Sequence, residues 1–193
     1  LTVADDEGNI VAMTQSINSL FGAKTVVPGT GIIPNNYMHV FDPHPGHALS
    51  IAPGKRVTTS NAPMMATKDG KPVLALGLPG GLTIFPSVMQ ALISIIDHGM
   101  SVQEAVEAPR LWTQGGLVEL ETGFPDSVRD ALMERGHEVQ MMPHVGGGMN
   151  AIAFGDDGQM TGAACWRADG TPIALSGGLA RPGVRFWPDK AGR

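Results

Sequence analysis

A short apolar run, Val73-Leu74-Ala75-Leu76, leads into Gly77-Leu78-Pro79-Gly80-Gly81 and then into an apolar segment from about Ile84 to Ile96. The run has the length of a strand, and the segment is long enough for a buried helix. A strand, a Pro-Gly-Gly turn and a helix in that order commit the chain to mixed α and β architecture. Glycines at the turn permit backbone angles closed to other residues and a close approach to the backbone. The turn predicts two free N–H groups facing one point beside a helix start, an arrangement suited to an oxyanion. Taken alone, a Pro-Gly-Gly reads first as a tight turn.

The flanking sequence predicts alternating sheet and helix. Strands are expected over residues 2–4, 10–15, 64–67 and 73–76. Lys68-Asp69-Gly70-Lys71 joins the last two as a hairpin, because Asp-Gly is a strong turn pair. A second helix is expected from Ser101, where Glu104 completes a capping box, and should stop before Pro109. A third runs from about Pro125-Asp126 to Arg135, with Gly136 placed to end it. Residues 138–142 and 151–154 read as further strands, the latter followed by the turn Asp157-Gly158. The tail from Arg181 is rich in Pro, Gly and basic residues and is expected to be loosely ordered.

Composition bounds the possible functions. A chain of 193 residues has room for one core, so a single domain over 1–193 is expected. The net charge of −5 argues against nucleic acid as the main partner. No window of 18 uncharged apolar residues predicts a membrane span. One cysteine, Cys165, excludes an internal disulfide and is expected to be a buried small residue. His39, His44 and His47 lie in a Pro-rich loop without acidic residues at metal-ligand spacing, so no metal site is expected. Gly146-Gly147-Gly148 lacks the Lys-Ser/Thr of a phosphate loop and reads as a flexible loop. Met64-Met65 and Met141-Met142 read as core filler.

Several motifs together carry more. In order, they are Val3-Ala4-Asp5-Asp6-Glu7-Gly8-Asn9-Ile10-Val11-Ala12, Ser16-Ile17-Asn18-Ser19-Leu20-Phe21-Gly22, Gly29-Thr30-Gly31-Ile32-Ile33-Pro34-Asn35-Asn36, Pro53-Gly54-Lys55-Arg56 and Thr58-Thr59-Ser60-Asn61-Ala62-Pro63. The Gly-Leu-Pro-Gly-Gly turn, Ile96-Asp97-His98-Gly99-Met100 and Glu107-Ala108-Pro109-Arg110 follow. In this order and spacing, from Leu1 to about Gly162, the chain resembles the small, C-terminal subunit of the γ-glutamyltranspeptidase family. The resemblance implies the N-terminal-nucleophile hydrolase fold, a four-layer αββα sandwich completed by a large N-terminal subunit cut from the same precursor. It also implies catalysis without cofactor, in which an N-terminal threonine hydroxyl attacks an amide and its own α-amine is the base.

The resemblance assigns roles by position. Ser16 falls where the family has a threonine whose hydroxyl bonds the nucleophile. Asn18 and Asn36 fall among the substrate-binding positions, Asn18 holding the substrate's polar end. Thr59 and Ser60 match a serine pair that binds the α-carboxylate, and Gly80 and Gly81 match the oxyanion-hole glycines. The nucleophile itself is expected about three residues before Leu1 and hence outside this sequence. Thr2, in an alternating strand pattern, reads as structural.

Three departures bear on specificity. The family's Met-Asp-Asp-Phe segment is Met38-His39-Val40-Phe41 here, so Val40 replaces the aspartate that pairs with the substrate α-ammonium. Asp42 lies two residues on, a shift of about 6–7 Å in extended chain. The carboxylate-binding pair is altered to Thr59-Ser60, and a Ser-Asp-Pro-Arg-like stretch is Ala164-Cys165-Trp166-Arg167. The resemblance therefore implies an amidohydrolase or acyltransferase of non-standard acyl specificity, cephalosporin-acylase-like or oxamate-amidohydrolase-like, acting on a small-molecule amide. A true γ-glutamyltransferase or glutathione hydrolase is the alternative, and a catalytically dead binding or scaffold relative is the alternative of another class. The compartment is left open between cytoplasm and periplasm.

Overall fold

The computed structural model describes residues 1–175. The expectation for the tail from Arg181 falls outside them. Contacts divide the chain into two compact units, one of Leu1–Thr14 with residues 61–175 and one of Gln15–Ser60.

The first unit is built on a four-stranded antiparallel sheet. Its strands are β3 (Met64–Lys68), β4 (Lys71–Gly77), β8 (Asn150–Phe154) and β9 (Met160–Ala164), in the order β3-β4-β8-β9. The β3–β4 turn is the expected Asp69-Gly70 pair, with φ of 53° and 77°. Strand β4 lies between two neighbours, and its Leu74, Ala75 and Leu76 are fully buried. That explains why it reads as a continuous apolar run and does not alternate.

Helix α1 (Ile84–Ile96) follows the Pro-Gly-Gly turn over the expected residues. Pro86 is tolerated because it sits in the first turn, where its missing N–H has no helical acceptor. Ile84, Val88 and Ala91 join Leu74, Leu76, Leu78, Ala151 and Ala163 in the core, together with Val102 and Val106 of helix α2 (Val102–Glu107). The opposite face is also apolar. Phe85, Met89, Ile93 and Ile96 follow at helical spacing and are 40% to 68% exposed. Helix α2 has the expected capping box. Glu104 N–H donates to Ser101 Oγ at 3.3 Å, and Ser101 N–H donates to Glu104 Oε2 at 2.8 Å.

A second sheet has the order β5-β6-β7, from β5 (Leu111–Trp112), β6 (Val118–Glu121) and β7 (Val139–Met142). The parallel β6–β7 pair is bridged by α3 (Asp126–Glu134), a crossover that only a helix-length connection can make. Gln90 of α1 pins this sheet, since its side chain donates to the Leu111 carbonyl at 2.9 Å and accepts from the Leu111 N–H at 3.0 Å. A hairpin of β1 (Thr2–Ala4) and β2 (Ile10–Ala12) rests against β4 and β8, and Thr2 Oγ1 donates to Asn150 Oδ1 at 2.9 Å. Thr2 is thus a hydrogen-bonded strand residue, as expected.

The structure corrects three details. The strand expected over residues 10–15 ends at Ala12, because β1 offers it partners only from Thr2 to Ala4. Strand β9 was not expected; its Thr161-Gly162-Ala163-Ala164 has weak strand propensity and is held by its full pairing with β8. Strands β5 and β6 were likewise unforeseen, one being two residues long and the other carrying a buried glutamate.

The second unit is almost wholly loop, with one 3-10 turn over Tyr37–Val40. Its order comes from chain crossings, with Asn36 N–H donating to the Ile17 carbonyl at 3.2 Å and Ala23 N–H to the Pro34 carbonyl at 2.9 Å. Gly22 makes this crossing possible, because a Cβ there would lie 2.3 Å from the Pro34 oxygen.

Candidate active site

In the first unit the candidate centre is the turn between β4 and α1. Gly80 has φ 148° and ψ 14°, and Gly81 has φ 61°. Both angles belong to glycine. A Cβ on Gly80 would also stand 2.8 Å from Thr83 Oγ1 and 3.0 Å from Gly146 Cα, so the position is closed sterically as well. At Gly81 an added Cβ would meet nothing within 4 Å. Gly80 and Gly81 are exposed, and among the described residues their N–H groups donate to no protein acceptor.

The Pro79 and Gly80 carbonyls of this turn are both tied down. Pro79 C=O accepts from Gly147 N–H at 2.9 Å. Gly80 C=O accepts from Thr83 Oγ1 at 2.8 Å and from Thr83 N–H at 3.3 Å. Behind Gly147 lies a buried charge cluster. Arg110 donates to the carbonyls of Gly147 at 3.0 Å and Val106 at 3.1 Å. Glu121 accepts from Val145 N–H at 2.6 Å, from Arg110 N–H at 2.9 Å and from Arg167 Nε at 2.7 Å, and makes a second, very short contact with Arg167 Nη2. Arg167 also donates to the Val106 and Ala108 carbonyls. Burial, and then the neighbouring Arg167 charge, push the Arg110 guanidinium down to about 10 despite Glu121. Burial acts on Arg167 in the same direction, but the hydrogen bond and charge of Glu121 outweigh it and leave this guanidinium raised. The Gly146-Gly147-Gly148 segment, expected to be a flexible loop, is therefore a clamped wall beside the turn. Cys165 is buried, as expected, and its Sγ accepts from Met149 N–H at 3.1 Å.

In the second unit Asn18, Asn36 and His39 come together. Asn18 Nδ2 lies 3.0 Å from Asn36 Oδ1 and 3.2 Å from His39 Nδ1, so both hydrogens of its amide are engaged. His39 is thereby the acceptor at Nδ1, which leaves its ring proton on Nε2. Asn36 also accepts from Ser19 N–H and donates to Ser19 Oγ. Ser16 is exposed, and its Oγ accepts from Asn18 N–H at 2.8 Å, closing a local turn. Val40 ends the 3-10 turn half-buried, next to the buried Phe41. The Asp42 carboxylate is turned into its own loop, accepting from His44 N–H at 2.8 Å and lying 2.9 Å from His44 Nδ1. Thr59 is exposed and Ser60 half-buried at the end of the unit.

Sequence reasoning missed His39, Thr83, Glu121 and Arg167 as parts of these arrangements. His39 was detectable as the neighbour of Val40 in the altered motif, and Arg167 as part of the altered C-terminal stretch. Nothing local marks Thr83 or Glu121. Among the described residues no group of three or more His, Cys, Asp or Glu is arranged to hold a metal ion, and no helix is long and apolar enough to cross a membrane.

A family model described as gamma-glutamyltranspeptidase matches residues 1–175. The chain is 67% identical over 186 residues to an acylase ACY 1 proenzyme of Pseudomonas sp. strain V22, covering 96% of this chain and 33% of that protein. It is 38% identical over 177 residues to a glutathione hydrolase proenzyme of Bacillus subtilis strain 168, covering 91% and 30%. It thus spans about a third of the length of these curated relatives. A crystal structure of cephalosporin acylase from Bacillus halodurans superposes with a TM-score of 0.82 at 35% identity, covering 87% of this chain and 32% of that one.

Proposed function

Because the chain belongs to the γ-glutamyltranspeptidase family, we propose that it is the small-subunit part of an N-terminal-threonine amidohydrolase or acyltransferase with acylase-type specificity. The fold is that of the N-terminal-nucleophile hydrolases. The partner in this reading is a large subunit from the same precursor, and the nucleophilic threonine lies outside residues 1–193. Its hydroxyl adds to the amide carbonyl while the proton passes to the threonine amine. The carbonyl π electrons move onto oxygen, and the Gly80 and Gly81 N–H groups receive that charge. Collapse of the adduct breaks the C–N bond, the amine leaves with the proton, and an acyl-enzyme remains. Water or an amine then attacks the ester and regenerates the hydroxyl. Asn18 and Asn36 hold the far end of the acyl group, Thr59 and Ser60 take its carboxylate where it has one, and Ser16 orients the nucleophile.

The observation that carries the specificity is an uncharged Val40 beside an Asp42 already bound to His44. A substrate α-ammonium would find no carboxylate there, and burying one unpaired costs several kcal/mol. The kinship with an acylase proenzyme agrees with this reading. One observation favours the glutathione-hydrolase alternative. With both Asn18 amide hydrogens engaged, its carbonyl oxygen is the group left to meet substrate, and an acceptor suits an ammonium.

The two readings separate on a pair of probes differing only in that ammonium, γ-glutamyl-p-nitroanilide and glutaryl-p-nitroanilide. The full-length protein should turn over the glutaryl probe with the higher kcat/KM. Val40→Asp should raise γ-glutamyl kcat/KM by about ten- to a hundredfold, the worth of a charge-assisted contact, and leave the glutaryl value unchanged or lower. Efficient γ-glutamyl cleavage by the native protein would overturn the specificity, and no turnover of either probe would favour a catalytically dead relative.

A further inference from the structure

We propose that Thr83 is a positioning residue that sets the direction of the second oxyanion donor. The inference rests on the reading of Gly80 and Gly81 as the oxyanion site. A peptide unit is planar, and in its trans form the C=O and N–H point in opposite directions. Whatever fixes a carbonyl therefore fixes the N–H of the next residue. Pro79 C=O and Gly80 N–H form one such unit, and Gly80 C=O and Gly81 N–H form the next. The first unit is held by Gly147 N–H, which donates to Pro79 C=O at 2.9 Å. Among the described residues the second is held by Thr83, through its hydroxyl at 2.8 Å and its amide at the longer 3.3 Å.

The hydroxyl has a defined seat. Thr83 Oγ1 occupies the volume into which a Gly80 side chain would project and stands 3.1 Å from where a Gly146 Cβ would be. The half-buried Thr83 thus places its hydroxyl next to both glycine segments. Flipping the 80–81 peptide would break two hydrogen bonds to Gly80 C=O and direct Gly81 N–H elsewhere. With the hydroxyl removed, the longer amide contact is the hydrogen bond left among the described residues to resist that flip. The substrate's distal groups do not depend on this peptide, so the effect belongs to turnover and not to substrate affinity.

The experiment uses the mature full-length protein and whichever of the two p-nitroanilides it hydrolyses, with native, Thr83→Val, Thr83→Ser and Gly81→Val forms. Thr83→Val should lose about five- to tenfold in kcat, the weight of one neutral hydrogen bond, with KM changed less than about twofold. Thr83→Ser should restore most of kcat, because it keeps the donor and drops only the methyl. Full kcat in Thr83→Val, or a loss that Thr83→Ser does not recover, would overturn the inference while leaving the oxyanion reading intact. Gly81→Val probes that reading separately. A Cβ there meets nothing within 4 Å, so the change acts through the positive φ and should cost about a hundredfold or more in kcat. Full turnover in Gly81→Val, or no turnover of either probe by the native protein, would remove the oxyanion reading and the Thr83 inference with it.

Discussion

Single atoms decide much of this molecule. Ser87 lies on the buried side of α1, 1% exposed, and its hydroxyl is the buried side-chain polar atom without a partner among the described residues. An unpaired buried hydroxyl carries a desolvation cost with no hydrogen bond to offset it. Ser87→Ala is therefore expected to leave stability unchanged or raise it by up to about 1 kcal/mol, read from the urea unfolding midpoint; a loss of about 1 kcal/mol or more would mean the hydroxyl is bonded. Residues of this kind differ in how far sequence exposes them. Val40 was legible, since a valine in place of an aspartate shows in the motif itself. The His39 contact with Asn18 was not, because it depends on the crossing of two loop segments 21 residues apart. Thr83 was not legible for a different reason: its bond is local, to the Gly80 carbonyl three residues back, but a threonine at a helix start carries no mark of which way its hydroxyl turns.

At the level of elements, local chemistry explains most successes. Helix α1 begins after the Pro-Gly-Gly turn, α2 begins at its Ser101-Glu104 box, and β3 and β4 meet at Asp69-Gly70. Each is set by residues within a few positions of its end, so the sequence announces it. Strands β5, β6 and β9 are set by partners. Strand β9 is made mostly of small residues of weak strand propensity and becomes a strand because β8 offers it an edge. Strand β6 hides Glu121 at a buried position, which sequence rules assign to surface. The capping box also responds to acid. The bonds from Ser101 hold the Glu104 carboxyl below its ordinary value, so its help to α2 is present above that value and is lost as the pH falls through the lowered one.

Across the molecule, the Arg110, Glu121 and Arg167 cluster joins segments scattered from residue 106 to residue 167. The Glu121 carboxylate pairs with the buried Arg167 guanidinium and accepts from the Arg110 backbone N–H, while the Arg110 guanidinium feels it through charge alone, so the arrangement depends on Glu121. Glu121→Gln would keep the shape and remove the charge, leaving the buried Arg167 without its ion-pair partner and taking a favourable charge away from Arg110. It should cost about 3–5 kcal/mol in unfolding free energy, and a change under about 1 kcal/mol would show that the cluster is not charge-coupled.

The second apolar stripe of α1 has a consequence for handling the protein. Phe85, Met89, Ile93 and Ile96 form a greasy strip that the remainder of a family member's length is available to cover. Residues 1–193 produced alone should therefore stick to one another, giving concentration-dependent, polydisperse boundaries in sedimentation velocity. Met89→Lys with Ile93→Glu should sharpen those boundaries toward a monomer. A monodisperse native chain would mean that the strip is harmless in water, and that colloidal behaviour is no guide to what the helix meets.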